Sequence, residues 1–79
     1  MKLRVYLTFS EDNVREPIIW KLGHKFDVVT NIRTAEVKES MGLVGLEIEG
    51  KTETVEAAVK WLETQGVHVE PIEQSVVAG

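Results

Sequence analysis

An α+β fold, with two helices packed on one face of a four-stranded antiparallel sheet, is what this sequence predicts. Three observations carry the prediction. The chain opens on a strict apolar–polar alternation. Two stretches with helical apolar spacing are each followed by strand-like sequence. A single short turn separates the two middle strand segments.

Taken in order, Leu3, Val5, Leu7 and Phe9 alternate with Lys2, Arg4, Tyr6 and Thr8, which makes the first segment a half-buried strand. Ser10-Glu11-Asp12-Asn13 breaks it with turn and capping residues. Pro17 suits an early helical position, where its missing N–H is not needed. Ile18, Ile19, Leu22 and Phe26 then share one helical face. Gly23 weakens that helix by about 1 kcal/mol relative to Ala. Val28–Val37 reads as the second strand, with Val28, Thr30, Ile32 and Thr34 on one face and Val29, Asn31, Arg33, Ala35 and Val37 on the other. Its alternation is imperfect, so a bulge or a switch of face is expected within it. Ser40-Met41-Gly42 makes the turn. In the third strand, Leu43–Glu49, Val44, Leu46 and Ile48 face in while Glu47 and Glu49 face out, and Gly50 closes it.

Thr52 is the better cap for the second helix, with Lys51 the alternative. Val55, Ala58, Val59 and Leu62 form its apolar stripe, flanked by Trp61. Gly66 is placed to stop it. Val67 and Val69 alternate with His68 and Glu70 in a fourth strand that Pro71 ends or marks as an edge. The order β-α-β-β-α-β in one unit, with right-handed crossovers, is the ferredoxin-like arrangement, sheet order 4-1-3-2. The core is expected over 3–72, with 73–79 a tail. The sheet face away from the helices should carry Arg4, Tyr6, Glu47 and one set of second-strand residues.

At 79 residues the chain is one domain with a modest core, and it has no cysteine, which excludes disulfides, iron–sulfur ligation and thiolate zinc. The formal charge of −4 argues against phosphate-backbone binding and hence against a nucleic-acid partner. No apolar run is long enough to span a bilayer, and the start lacks a signal-peptide pattern; a cytoplasmic location without membrane insertion is expected. The acidic residues are spread rather than clustered as ligands, and no metal or cofactor is expected.

Few residues suggest chemistry. Asn31 and Arg33 stand two apart on one strand and so share a face. Two readings are open: a solvated pair, or a contact for an amino acid, with Arg33 on the carboxylate and Asn31 on amine or carboxylate. Met41 and Gly42 at the hairpin tip read either as an ordinary turn or as an adaptable surface for a thioether or another protomer. Trp20 and Trp61 beside the helix stripes read either as marks of an interface or, the reading preferred, as caps on the core edges with one ring face wet. His24 and Asp27 lack a nucleophile or oxyanion donor beside them; His24 suits the end of the first helix, complementing its dipole. His68 is expected to be exposed. The chain is not expected to be an enzyme.

At Asn31-Ile32 the sequence resembles the NIL domain family, which takes its name from an Asn-Ile-Leu motif on its second strand. The resemblance runs from about Leu3 to Ile72. It rests on Arg4-Val5-Tyr6-Leu7-Thr8-Phe9, Pro17-Ile18-Ile19, Asn31-Ile32, Gly42-Leu43-Val44-Gly45-Leu46-Glu47-Ile48-Glu49-Gly50, Ala57-Ala58-Val59-Lys60-Trp61-Leu62 and Gln65-Gly66-Val67-His68-Val69-Glu70. NIL domains stand at the C-terminus of ATPase subunits of methionine ABC importers, where they bind methionine and inhibit transport. Others precede ferredoxin-type modules in proteins of sulfur assimilation and homocysteine formation. The chain is more similar to the second kind through Pro17-Ile18-Ile19-Trp20-Lys21-Leu22 and Val28-Val29-Thr30-Asn31-Ile32-Arg33. Arg33 replaces the eponymous Leu, a long cation that favours a carboxylate or excludes a thioether.

The resemblance implies a regulatory module sensing methionine or a related amino acid in methionine transport or sulfur amino-acid metabolism. Asn31, Ile32 and Arg33 would be the main contact strand, with Met41 and Gly42 nearby. A homodimer is expected separately, from the exposed edge strand and the small core. The alternative it implies is a subunit that docks on a separate enzyme, ferredoxin or transporter ATPase without a free ligand of its own.

Overall fold

A computed structural model describes residues 1–72 of the chain; the tail expected over 73–79 lies outside the described residues. The elements run β1 (Lys2–Phe9), α1 (Ile18–Lys25), β2 (Val29–Val37), β3 (Gly42–Glu49), α2 (Thr52–Thr64) and β4 (His68–Pro71). The strands form one sheet in the order β2-β3-β1-β4, all neighbours antiparallel. This is the ferredoxin-like α+β topology that the sequence predicts, with β1 and β3 central and β2 and β4 at the edges.

The alternation in β1 decides which side becomes core. Val5, Leu7 and Phe9 are buried, as are Val44, Leu46 and Ile48 of β3 across from them. Ile18 and Leu22 of α1 and Val55, Ala58 and Leu62 of α2 complete the same cluster, so both helices cover one sheet face. Each Val, Leu, Ile or Phe side chain among them contributes about 1.5–3 kcal/mol by leaving water.

The helix ends follow from their residues. Pro17 occupies the N-cap of α1, and its carbonyl accepts the Lys21 N–H at 3.0 Å. Phe26 ends the helix in an extended conformation and packs against the core. His24 and Lys25 fill the last turn, where positive charge suits the dipole. Helix α2 begins at Thr52, one residue before the start its capping role would give. The Lys51 carbonyl takes the first helical bond, from Val55 N–H at 2.9 Å, and no side chain caps the end.

At its other end, Gly66 at φ +85° lets its N–H reach the Glu63 carbonyl (3.0 Å) and the Val67 N–H reach that of Leu62 (3.2 Å). These are the two bonds of a Schellman stop. It delivers Val67 into the core and starts β4.

The expected irregularity in β2 is a bulge at Arg33. Ile32 pairs with Leu46 and Thr34 with Gly45, so Arg33 has no opposite residue on β3. The phase of the strand changes there. Val29 and Asn31 lie on the uncovered face before it, Thr34 and Glu36 after it, while Ala35 and Val37 pass to the helix side.

Two placements differ from expectation. Glu47 lies on the uncovered face but is buried, 8 % exposed, because its central strand sets it between Arg4 and Asn31 on the flanking strands. Trp20 does not cap the core. It is 62 % exposed and stacks on His24, ring centroids 3.9 Å apart. Trp61 does sit at the core edge, its ring edge-on to Phe26 at 6.1 Å. Among the described residues, no helix is long and apolar enough to cross a membrane.

Candidate binding face

The helix-free face of the sheet is ordered in rows by strand register. One row runs Asn31, Glu47, Arg4; the next runs Thr34, Gly45, Tyr6, Glu70. Between the two rows on β2 stands the bulged Arg33.

In the first row the Arg4 Nε–H donates to a Glu47 carboxylate oxygen at 2.8 Å. That hydrogen bond holds the Glu47 carboxyl below its usual value. Partial burial pulls the other way, and the positive charges of Arg4, Lys2 and Arg33 reinforce the lowering. Glu47 is therefore an ionised anchor for Arg4.

The second row contains a floor without a side chain. A Cβ on Gly45 would lie 2.6 Å from Thr34 Oγ1 and 3.4 Å from the Tyr6 ring, so the strand needs glycine for those two side chains to lean over it. Above that floor lies a cleft of about 160 Å³ lined by Arg4, Tyr6, Arg33, Thr34, Gly45 and Ile72. It combines two guanidinium groups with two hydroxyl-bearing side chains and apolar walls.

A second, apolar cleft of about 210 Å³ lies on the helix side, between the start of α1 and the end of β2. Phe9, Val14, Pro17, Ile18, Trp20 and Val37 line it. It exists because the bulge turns Val37 toward the helices, while α1, only eight residues long, leaves that end of β2 uncovered.

The five residues singled out in the sequence do not converge on one pocket. Asn31 is exposed on the helix-free face beside Glu47, and Arg33 lines the cleft on that same face. Ile32 is 53 % exposed but lies in register with Leu46, on the helix side. Met41 is 45 % exposed at the β2–β3 turn, in a small cleft of about 80 Å³ with Glu36, Lys38 and Leu43. Gly42 is buried on the helix side, where a Cβ would meet Val14 at 3.3 Å and Phe9 at 3.6 Å. Val37, which pairs with Gly42 just before the turn, lies four residues from Arg33, about 13 Å at the rise of a strand. Sequence reasoning missed Thr34 and Gly45. The signal was present in the second case, since a glycine inside the apolar run Leu43–Ile48 marks a close approach.

Among the described residues the edge of β2 is bare over nine residues, and Val29, Ile32 and Val37 along it are each more than half exposed, at 65 %, 53 % and 62 %. Its unpaired backbone and apolar side chains form a surface for strand addition.

Comparison with known proteins sets this geometry in context. No match was found among curated proteins. Among solved structures, the chain is similar to the C-terminal domain of an ABC transporter ATP-binding protein from Enterococcus faecalis. The TM-score is 0.79 at 23 % identity, over 90 % of this chain and 83 % of that one, a likeness of fold. The sequence model of the NIL domain matches residues 3–71, nearly all that is described here, and the chain belongs to the NIL domain family.

Proposed function

We propose that this domain is a regulatory module that binds a small amino acid, methionine or a relative of it, and acts in the cytoplasm on a transporter ATPase or on sulfur amino-acid metabolism. Family membership and the fold likeness to an ABC ATPase C-terminal domain support the regulatory reading. The observation that carries the ligand is the exposure of Asn31 and Arg33 together on the helix-free face of an edge strand. Arg33 offers a planar fork to a carboxylate and Asn31 an amide to the amine or carboxylate. Met41 and Gly42 lie too far along the hairpin to touch the same small molecule. In this reading Met41 serves from a second protomer, joined through the nine-residue β2 edge, while Gly42, buried on the helix side, only shapes the turn.

Isothermal titration of L-methionine, homocysteine and cysteine into wild type and Asn31→Ala tests the proposal. Saturable binding by one of them, weakened by about 1–3 kcal/mol in the variant, is expected. Absence of binding by all three refutes it. The apolar side chains along β2 favour a second reading, docking on a separate protein without a free ligand; co-purification of a larger partner by a domain that binds no amino acid would identify that case.

A further inference from the structure

We propose that the cleft over Gly45 is an oxyanion site, in which Arg33 supplies the charge and Thr34, Tyr6 and the anchored Arg4 complete the cradle. The proposal deepens the amino-acid reading, resting on it only for where the oxyanion comes from. Three observations meet at the cleft. First, the bulge leaves Arg33 without an opposite residue and aims it into the space beside Thr34. Bulges commonly re-aim one side chain in this way. Second, Gly45 clears the floor, bringing the Thr34 hydroxyl and the Tyr6 ring over a position where a Cβ would sit 2.6 Å from Thr34 Oγ1. Third, the Glu47 carboxylate fixes Arg4 at 2.8 Å, so one wall of the cradle is set before any ligand arrives.

The local charges favour an anion despite the acidic chain. Glu47 is engaged by Arg4, and Glu36, the next acid on β2, pairs with Lys38 at 3.7 Å. Arg33 makes no ion pair among the described residues. Glu70 pairs with Tyr6 and so borders the cradle on its far side, three strand spacings or about 14 Å from the β2 backbone that carries Arg33. A guanidinium beside hydroxyl donors suits the planar carboxylate and the tetrahedral phosphate alike, because both present paired oxygens to its fork.

The test is a ¹H–¹⁵N titration with sodium acetate and with sodium phosphate, at ionic strength held constant with sodium chloride. Saturable shifts centred on Thr34, Gly45 and the Arg33 side chain are expected. Arg33→Gln should weaken binding by about tenfold or more, since it removes a charged hydrogen-bond donor. Thr34→Val should weaken it by about threefold, the loss of one neutral hydrogen bond. Tighter binding of acetate identifies a carboxylate ligand, and tighter binding of phosphate a phosphorylated one. Wild-type shifts no larger than those in chloride, or equal binding by Arg33→Gln, overturn the site. Methionine binding that survives Arg33→Gln would remove the cleft and keep the sensing role. Oxyanion binding without any amino-acid binding would do the reverse.

Discussion

Replacing Gly66 with alanine should destabilise the domain by about 1 kcal/mol, and the structure says how that figure arises. Gly66 has φ +85°. An L-residue held in the left-handed region costs about 1–2 kcal/mol. Against this, alanine restricts the unfolded chain and returns about 0.4–1 kcal/mol. The new Cβ would also lie 3.0 Å from Asn13 Nδ2. That atom is the end of a flexible side chain and can swing away, so the backbone dominates. For a domain of this size, 1 kcal/mol lowers Tm by about 4–8 °C. Urea denaturation of wild type, Gly66→Ala, Asn13→Ala and the double variant separates the two contributions. If the reasoning holds, the loss at Gly66 is nearly the same with and without Asn13. A Gly66→Ala variant as stable as wild type, or one whose stability Asn13→Ala restores in full, would refute it.

Two further outcomes are expected. Glu47 has its folded-state pKa depressed by Arg4, so its contribution to stability is present above the unfolded value near 4.5 and is lost as pH falls through the lower folded value. Wild type should therefore lose Tm toward acid pH more steeply than Glu47→Gln, and parallel curves would show that the Arg4 bond contributes nothing. On the bare edge, Ile32→Lys places a charge on an exposed apolar position, so it should change the stability of the monomer itself by no more than about 0.5 kcal/mol, any further loss of Tm being that of the lost dimer. Sedimentation should show the variant as a monomer where wild type is a dimer; monomeric wild type at micromolar concentration would remove the dimer.

The fold was largely written in local pattern. The period-two alternation of β1, the stripes of α1 and α2 and the stop at Gly66 each follow from short-range chemistry, and each appears where it was expected. What alternation alone could not give was Glu47. Its residue type and outward phase read as solvated, and only the register that sets it between Arg4 and Asn31 explains its burial. Trp20 departs for a similar reason, because the short α1 leaves the end of β2 open and the ring beside a cleft rather than over the core. The shared face of Asn31 and Arg33 was legible, because they stand two apart on one strand, and the structure keeps both on the helix-free side. The candidate site was not legible in Thr34 and Gly45, whose meaning appears only once β2 and β3 are aligned across the bulge.

That misfit residue in β2 has one more consequence. Excise Arg33 from the chain, and Ile32 would be followed by Thr34 opposite consecutive partners, Leu46 and Gly45. Every side chain of the strand would then fall into an unbroken zigzag, with the same partners on β3. The ladder has no use for the extra link. The domain nonetheless carries it, and carries it as an arginine, set on the side where no helix lies.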